Sequence, residues 1–143
     1  MKKDISKNLG VFAAIGPVVL DDDNTPAAID IGNFGGAIIL IMVGIGGITF
    51  TADNKVEFKL THSDDDSTYT AVAQGDVNGV TVGTGGIVRS LVAAHAAATL
   101  TKVGYHGGKR YLKLLADFSG THGAGTPMSA VVVAGEPYIA PVA

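Results

Sequence analysis

The sequence predicts an all-β fold: an antiparallel β-sandwich, jelly-roll-like, of about eight strands with extended N- and C-terminal segments. Three observations carry that expectation. Lys55 to Thr61 places Val56, Phe58 and Leu60 on one face against Lys55, Glu57, Lys59 and Thr61 on the other, and Tyr111 to Phe118 repeats the pattern with Leu112, Leu114, Ala116 and Phe118, Leu115 being the exception. A period of two is the signature of a strand with one wet face. The 143 residues contain 20 glycines and no tryptophan, with valine, isoleucine, threonine and alanine supplying most of the bulk, a mixture that favours strands and turns. Turn residues recur at short intervals without intervening amphipathic helices, which argues against a parallel α/β sheet.

Taken in order, residues 1–20 form an N-terminal arm or edge strand, because the apolar stretch Leu9 to Leu20 is interrupted by Gly10, Gly16 and Pro17. Residues 21–134 form the sandwich. It begins with the turn Asp21-Asp22-Asp23-Asn24-Thr25-Pro26, whose short side chains can bond nearby amides and whose proline biases Thr25 toward an extended backbone. Strands follow at Ala27 to Ile31, Ala37 to Val43 and Ile48 to Thr51, separated by glycine-rich turns, with Ala37 to Val43 read as a buried strand. Lys55 to Thr61 then pairs antiparallel with Thr68 to Ala73 across the polar tip Ser63 to Ser67. Asp76 to Gly86 is a glycine-rich loop or irregular strand. Ile87 to Leu91 is a strand, with one helical turn expected near His95 because the alanines from Ala93 to Ala98 favour helix. Thr99 to Gly104, Tyr111 to Phe118 and Ser129 to Ala134 complete the set, the last two as a long pair joined by a polar connection. Residues 135–143 form an extended tail, since Gly135, Pro137 and Pro141 oppose further regular pairing.

Composition narrows the function classes. One domain of this length buries enough surface to fold without staples. The chain has no cysteine, which excludes disulfides, thiolate metal sites and cysteine nucleophiles. Charged residues make up 16% and the formal net charge is −3, so the strong basic field of a nucleic-acid binder is missing. Ile31 to Ala52 carries no formal charge, yet its glycines leave only a strand-sized apolar core, and no membrane span is expected. Lys2, Lys3 and Lys7 precede an apolar stretch, but Asp4 interrupts them and no small-residue cleavage site follows, so no cleaved leader is expected. With mean hydropathy positive, part of the surface should be covered by another molecule. The pattern is that of an assembly subunit.

The chemical motifs are incomplete. Gly44-Ile45-Gly46-Gly47 and Gly83-Thr84-Gly85-Gly86 lack the spacing and following helix of a dinucleotide fingerprint, and Gly107-Gly108-Lys109-Arg110 lacks the first glycine and the Ser or Thr of a phosphate loop. Asp64-Asp65-Asp66 has neither the glycine nor the distal glutamate of a calcium loop. His62, His95, His106 and His122 show no paired metal spacing, no serine sits in a GxSxG elbow, and the glutamates are Glu57 and Glu136 alone. The expectation is a non-enzymatic protein without cofactor or metal.

Asn33-Phe34-Gly35-Gly36-Ala37, Lys55 to Asp65, Val103-Gly104-Tyr105 with Lys109-Arg110-Tyr111, and Ser129-Ala130-Val131-Val132 before a Gly-x-Pro tail together resemble small proteins encoded beside the major capsid protein in tailed bacteriophages and prophages. The likeness runs from about Ala27 to Pro141. Where that family commonly has Phe-Asp-Ser, this chain has Phe34-Gly35-Gly36. The resemblance implies a capsid decoration, or cement, subunit: a β-sandwich on the outer surface of the virion, assembled in the bacterial host cytoplasm, binding the major capsid protein and other copies of itself as a homotrimer. Partner-binding residues are expected in the two terminal segments and the basic cluster, namely Val11, Phe12, Ile15, Val18 and Leu20, then Lys109 and Arg110, then Pro137, Tyr138, Ile139 and Pro141. The other readings are a glycan-binding sandwich, with Tyr105 and Tyr138 as stacking residues, and a head-completion or tail component.

Overall fold

The computed structural model describes residues 4–142; the outermost residues of the expected arm and tail, 1–3 and 143, lie outside the described residues. The strands are β1 (Gly10–Leu20), β2 (Ile29–Asp30), β3 (Phe34–Val43), β4 (Lys55–Ser63), β5 (Thr70–Ala71), β6 (Val77–Asn78), β7 (Ile87–Leu91), β8 (Thr99–Tyr105), β9 (Tyr111–Ser119) and β10 (Thr126–Pro137). Two single-turn 3₁₀ segments, Ser6–Asn8 and Gln74–Asp76, are the helical elements among the described residues.

Two five-stranded antiparallel sheets result. Sheet A runs β1-β10-β3-β8-β6, and sheet B runs β2-β9-β4-β5 with β7 also on β4. The pairing follows one rule: β1, β2, β3 and β4 pair in turn with β10, β9, β8 and β7. The chain is thus one long double-stranded hairpin wrapped into a sandwich, which is the jelly-roll topology. Pairing of β10 with β3 and of β9 with β4 closes each sheet across the wrap.

The inner faces meet through complementary side chains. Sheet B contributes bulk at Phe58, Leu60, Leu112 and Leu114, and sheet A contributes smaller or β-branched residues at Ile39, Ile41, Ala130 and Val132, all buried. Alternating large and small residues across a sandwich lets it close at interior packing density. Gly86 turns with φ +82°, and a Cβ there would lie 2.5 Å from the Leu60 carbonyl oxygen; the Leu60 amide in turn donates to the Gly86 carbonyl at 2.9 Å. The long loop before β7 is therefore tied to β4 at a position that only glycine fills.

Several sequence expectations change in the fold. The described residues form ten strands where about eight are expected: the strand expected over Thr68 to Ala73 shortens to the two-residue β5, and the two-residue β6 lies inside the loop or irregular strand expected over Asp76 to Gly86. Ile48 to Thr51 is not a strand: Thr51 Oγ1 accepts from the Asp53 and Asn54 amides and forms a turn, and Phe50 beside it is buried in the core. The segment around His95 forms bends and no helical turn. Tyr111–Ser119 and Thr126–Pro137 are not a hairpin, since they lie in different sheets and their connection crosses the sandwich. Phe58→Ala removes a fully buried ring from the contact between sheets, and it is expected to lower the unfolding free energy by about 3–5 kcal/mol in urea titration.

Candidate interaction surface

The two outer faces differ in chemistry. On sheet B, Glu57 and Asp117 sit directly opposite each other, an unfavourable like-charge pair. Lysines offset it: Lys55 Nζ lies 2.9 Å from Glu57 Oε1, and Lys59 pairs with Asp117. The hydrogen bond and charge of Asp117 push the Lys59 ammonium pKa up. This face is built to meet water.

Among the described residues the outer face of sheet A has no such pairs. Its cross-strand rows read Val11, Val133, Ile38, Gly104, and then Ala13, Val131, Leu40, Lys102. A third row is Ser129, Met42, Leu100. Lys102 is the one charged residue in these three rows. Ile38 and Met42 keep 40% and 41% of their surface exposed, and Leu100 keeps 63%. The expectation that Ala37 to Val43 is a buried strand is corrected here: Ala37, Ile39, Ile41 and Val43 face the core, and the residues between them face outward. Toward Gly44 the face deepens into an open apolar trough of about 700 Å³, bordered by Pro17, Val18, Met42, Leu100 and Pro127.

The expected contact residues separate into distinct environments. The N-terminal segment is an edge strand hydrogen-bonded along β10, with irregularities between Ala13 and Ile15 and between Ile15 and Val18 that, with Pro17, blunt its free edge. Phe12 packs edge-to-face on Phe34 at 6.3 Å, and Ile15 is buried in the core, so these two hold the protein's own interior. Leu20 is partly buried against that core as well. Val11 and Val18 remain exposed.

Lys109, Arg110 and Tyr138 line one hollow at an end of the sandwich. Arg110 is held by a two-point contact to Asp30, Nε to Oδ1 at 2.9 Å and a terminal nitrogen to Oδ2 at 2.7 Å, with its guanidinium 5.0 Å from the Tyr111 ring centroid. That hydrogen bond holds the Asp30 carboxyl pKa below its usual value. Lys109 Nζ reaches Thr70 Oγ1 at 3.3 Å and lies 4.0 Å from Asp64.

The tail does not leave the sandwich. Pro137 still pairs with Phe34 at the end of β10. Beyond it Tyr138 N–H donates to the Asn33 carbonyl at 2.8 Å, while the Asn33 side chain both accepts from Ile139 N–H at 3.1 Å and donates to the Ile139 carbonyl at 3.0 Å. Val142 N–H then donates to the Lys7 carbonyl at 2.8 Å, past Pro141. Tyr138 and Ile139 are each 75% exposed on this tethered backbone. Spacing alone does not reveal the role of Asn33, since its partner is 106 positions away.

Histidines and acids serve the fold. Lys109 N–H donates to the Tyr105 hydroxyl oxygen at 3.2 Å, and the same hydroxyl is hydrogen-bonded to His62 Nδ1 at 2.9 Å. Burial lowers the His62 pKa and raises that of Tyr105. Tyr105 is 3% exposed, so its ring offers no sugar platform, in contrast to Tyr138. His95 and His122 donate through Nε2 to the carbonyls of Gly44 and Ser119 at 2.7 and 2.8 Å, on rings packed near Phe50. Asp65 accepts from the Thr68 and Ser67 amides and the Ser63 hydroxyl, which hold its carboxyl at about 2 and organise the hairpin tip. Among the described residues no three His, Asp or Glu side chains stand together as a metal site. No protein-family model, curated protein or solved structure matches this chain.

Asn33→Ala should raise hydrogen-exchange rates at residues 138–142 while leaving β10 protection and the thermal midpoint nearly unchanged. A pH dependence is expected from His62. Because its folded-state pKa is below its unfolded value of 6.5, the stability held by neutral His62 is full above that pH and is lost as pH falls through the folded value. The thermal midpoint should drop on acidification below about pH 6.5, and His62→Gln, which keeps a hydrogen-bonding partner for the Tyr105 hydroxyl, should flatten that drop.

Proposed function

We propose that this chain is a non-enzymatic capsid decoration subunit that adds contacts between major capsid protein subunits on the outer surface of a phage shell. One observation carries the reading: a jelly roll whose sheet B is finished with paired charges leaves the outer face of sheet A apolar. Such a contrast marks a face meant for another protein. The resemblance of Asn33 to Ala37, Lys55 to Asp65 and Ser129 to Val132 to proteins encoded beside major capsid proteins supports the shell as the setting.

The clamped tail supports the same reading. Tyr138 and Ile139 are exposed on a backbone held by Asn33, and side chains presented on a fixed backbone lose less freedom when they insert into a neighbour than those of a loose tail. These two, with the flanking Lys109, form the shell-facing contact, and the homotrimer is the proposed form in which the subunit binds. A subunit that binds assembled shell and not dissociated capsid protein stabilises the shell by mass action, by about 2.7 kcal/mol per site at a free concentration about a hundredfold above Kd.

The test is co-sedimentation of the purified chain with shells lacking it. Binding in many copies per shell, with a raised shell disassembly temperature, is expected. Tyr138→Ala combined with Ile139→Ala should weaken binding at least about tenfold, the loss of roughly 1.4 kcal/mol or more, without unfolding the chain. Binding of a few copies at one vertex would instead make it a head-completion or tail component, and no binding would overturn both.

A further inference from the structure

We infer that the outer face of sheet A is where copies of this chain pack on one another, centred on the row Ala13, Val131 and Leu40. The inference rests on the reading of the chain as an assembly subunit and names the occupant of its apolar face. Size is the first argument. Strands β1, β10, β3 and β8 have 11, 12, 10 and 7 residues, and at about 3.4 Å per residue and about 4.8 Å between strands they span roughly 650 Å² on one face. A standard stable protein interface takes about 800 Å² from each partner. The sheet face therefore supplies most of one such interface, and the adjoining trough beside Met42 and Pro127 extends it.

Chemistry decides between occupants. An acidic or nucleic-acid partner would find Lys102 as the one cation in the three rows, at the β8 side of the face, too little charge for attraction or orientation. A bilayer surface is recognised by aromatic anchors and a cationic rim, and these rows contain no aromatic residue. A second copy offers aliphatic surface and demands no charge match beyond leaving Lys102 at the rim. Small residues at Ala13 and Ser129 keep the surface low, while the Asn78 side chain lies over Gly104 and closes the face at its β6 edge.

The sandwich explains why the face survives in a stable protomer. Ile38, Leu40 and Met42 alternate with Ile39 and Ile41, which are buried between the sheets. Outward substitutions at these positions therefore leave the core intact, which makes the inference separable from folding.

Static light scattering coupled to size exclusion should give the wild-type chain a mass that is a multiple of one protomer. Met42→Glu should shift it to the protomer mass with unchanged far-ultraviolet dichroism, by more than ~100-fold weaker association, as burying an unpaired carboxylate requires. Ile38→Glu serves as the second variant if the first fails to fold. Because the chain has no cysteine, Val131→Cys provides a single thiol that should be shielded from maleimide in the wild-type background and reactive when combined with Met42→Glu. Lys59→Cys, on the charged face, should react in both. A monomeric wild type, or an assembly that survives both glutamates while the thiol introduced by Val131→Cys stays accessible, overturns the inference. Shell co-sedimentation separates the two proposals: a monomer that binds shells refutes self-packing and keeps decoration, and an oligomer that ignores shells does the reverse.

Discussion

Closure of two sheets over one set of side chains is the constraint on which the rest of this molecule depends. Phe58, Leu60, Leu112 and Leu114 from sheet B must fit between the small and β-branched residues of β3 and β10, and they do so only if each strand keeps its register. A slip of one residue in β3 would exchange Ile39 and Ile41 for Ile38, Leu40 and Met42. Because both sets are apolar, hydrophobicity alone specifies that register weakly. It is held instead by pairing on both sides, β10 on one edge and β8 on the other, and by the volume match across the sandwich.

The ladder is then finished by side chains where backbone strands run out. β2 pairs with β9 over Ile29 and Asp30 only. Beyond that the Asn24 side chain takes over, accepting from the Ala116 amide at 2.7 Å and donating to the Leu114 carbonyl at 3.2 Å, and Asp23 accepts from the Phe118 amide at 2.7 Å. Asn33 does the same for Ile139 near the end of β10. A carboxamide offers a donor and an acceptor in one plane, as a peptide group does, so one side chain can stand in for a strand residue and cover an otherwise open edge.

Charge placement connects this architecture to the proposed role. The ion pairs on sheet B are partly exposed and contribute modestly to stability, but their placement distinguishes a charged face from the apolar outer face of sheet A. The resulting molecule is a slab with one polar side, one apolar side and, at one end, exposed Tyr138 and Ile139 on a backbone tethered by Asn33. That shape suits a subunit that packs laterally while gripping a surface beneath it.

Strands whose successive residues differ in polarity were legible from sequence. Lys55 to Thr61 alternates cleanly, and Tyr111 to Phe118 does so except at Leu115, so that strand, facing and solvent side could all be read, and the antiparallel return after Ser63 to Ser67 followed from the turn chemistry between them. The all-β class was equally plain, through glycine punctuation and β-branched content. In β3 and β10 the residues establish strand character but not facing, because a continuous apolar run has no polar partner to mark the outside; only the wrapped topology sends Ile39 inward and Ile38 outward. The C-terminal segment read as an extended tail, and the N-terminal one as either an arm or an edge strand, for a related reason. Gly16, Pro17 and Pro137 are local obstacles to pairing, whereas Asn33 and β10 hold these segments through contacts across most of the chain length. Local backbone preference is written in neighbouring residues, but long-range hydrogen bonds depend on which surfaces the fold brings together, and in this protein that selection was made by tertiary packing.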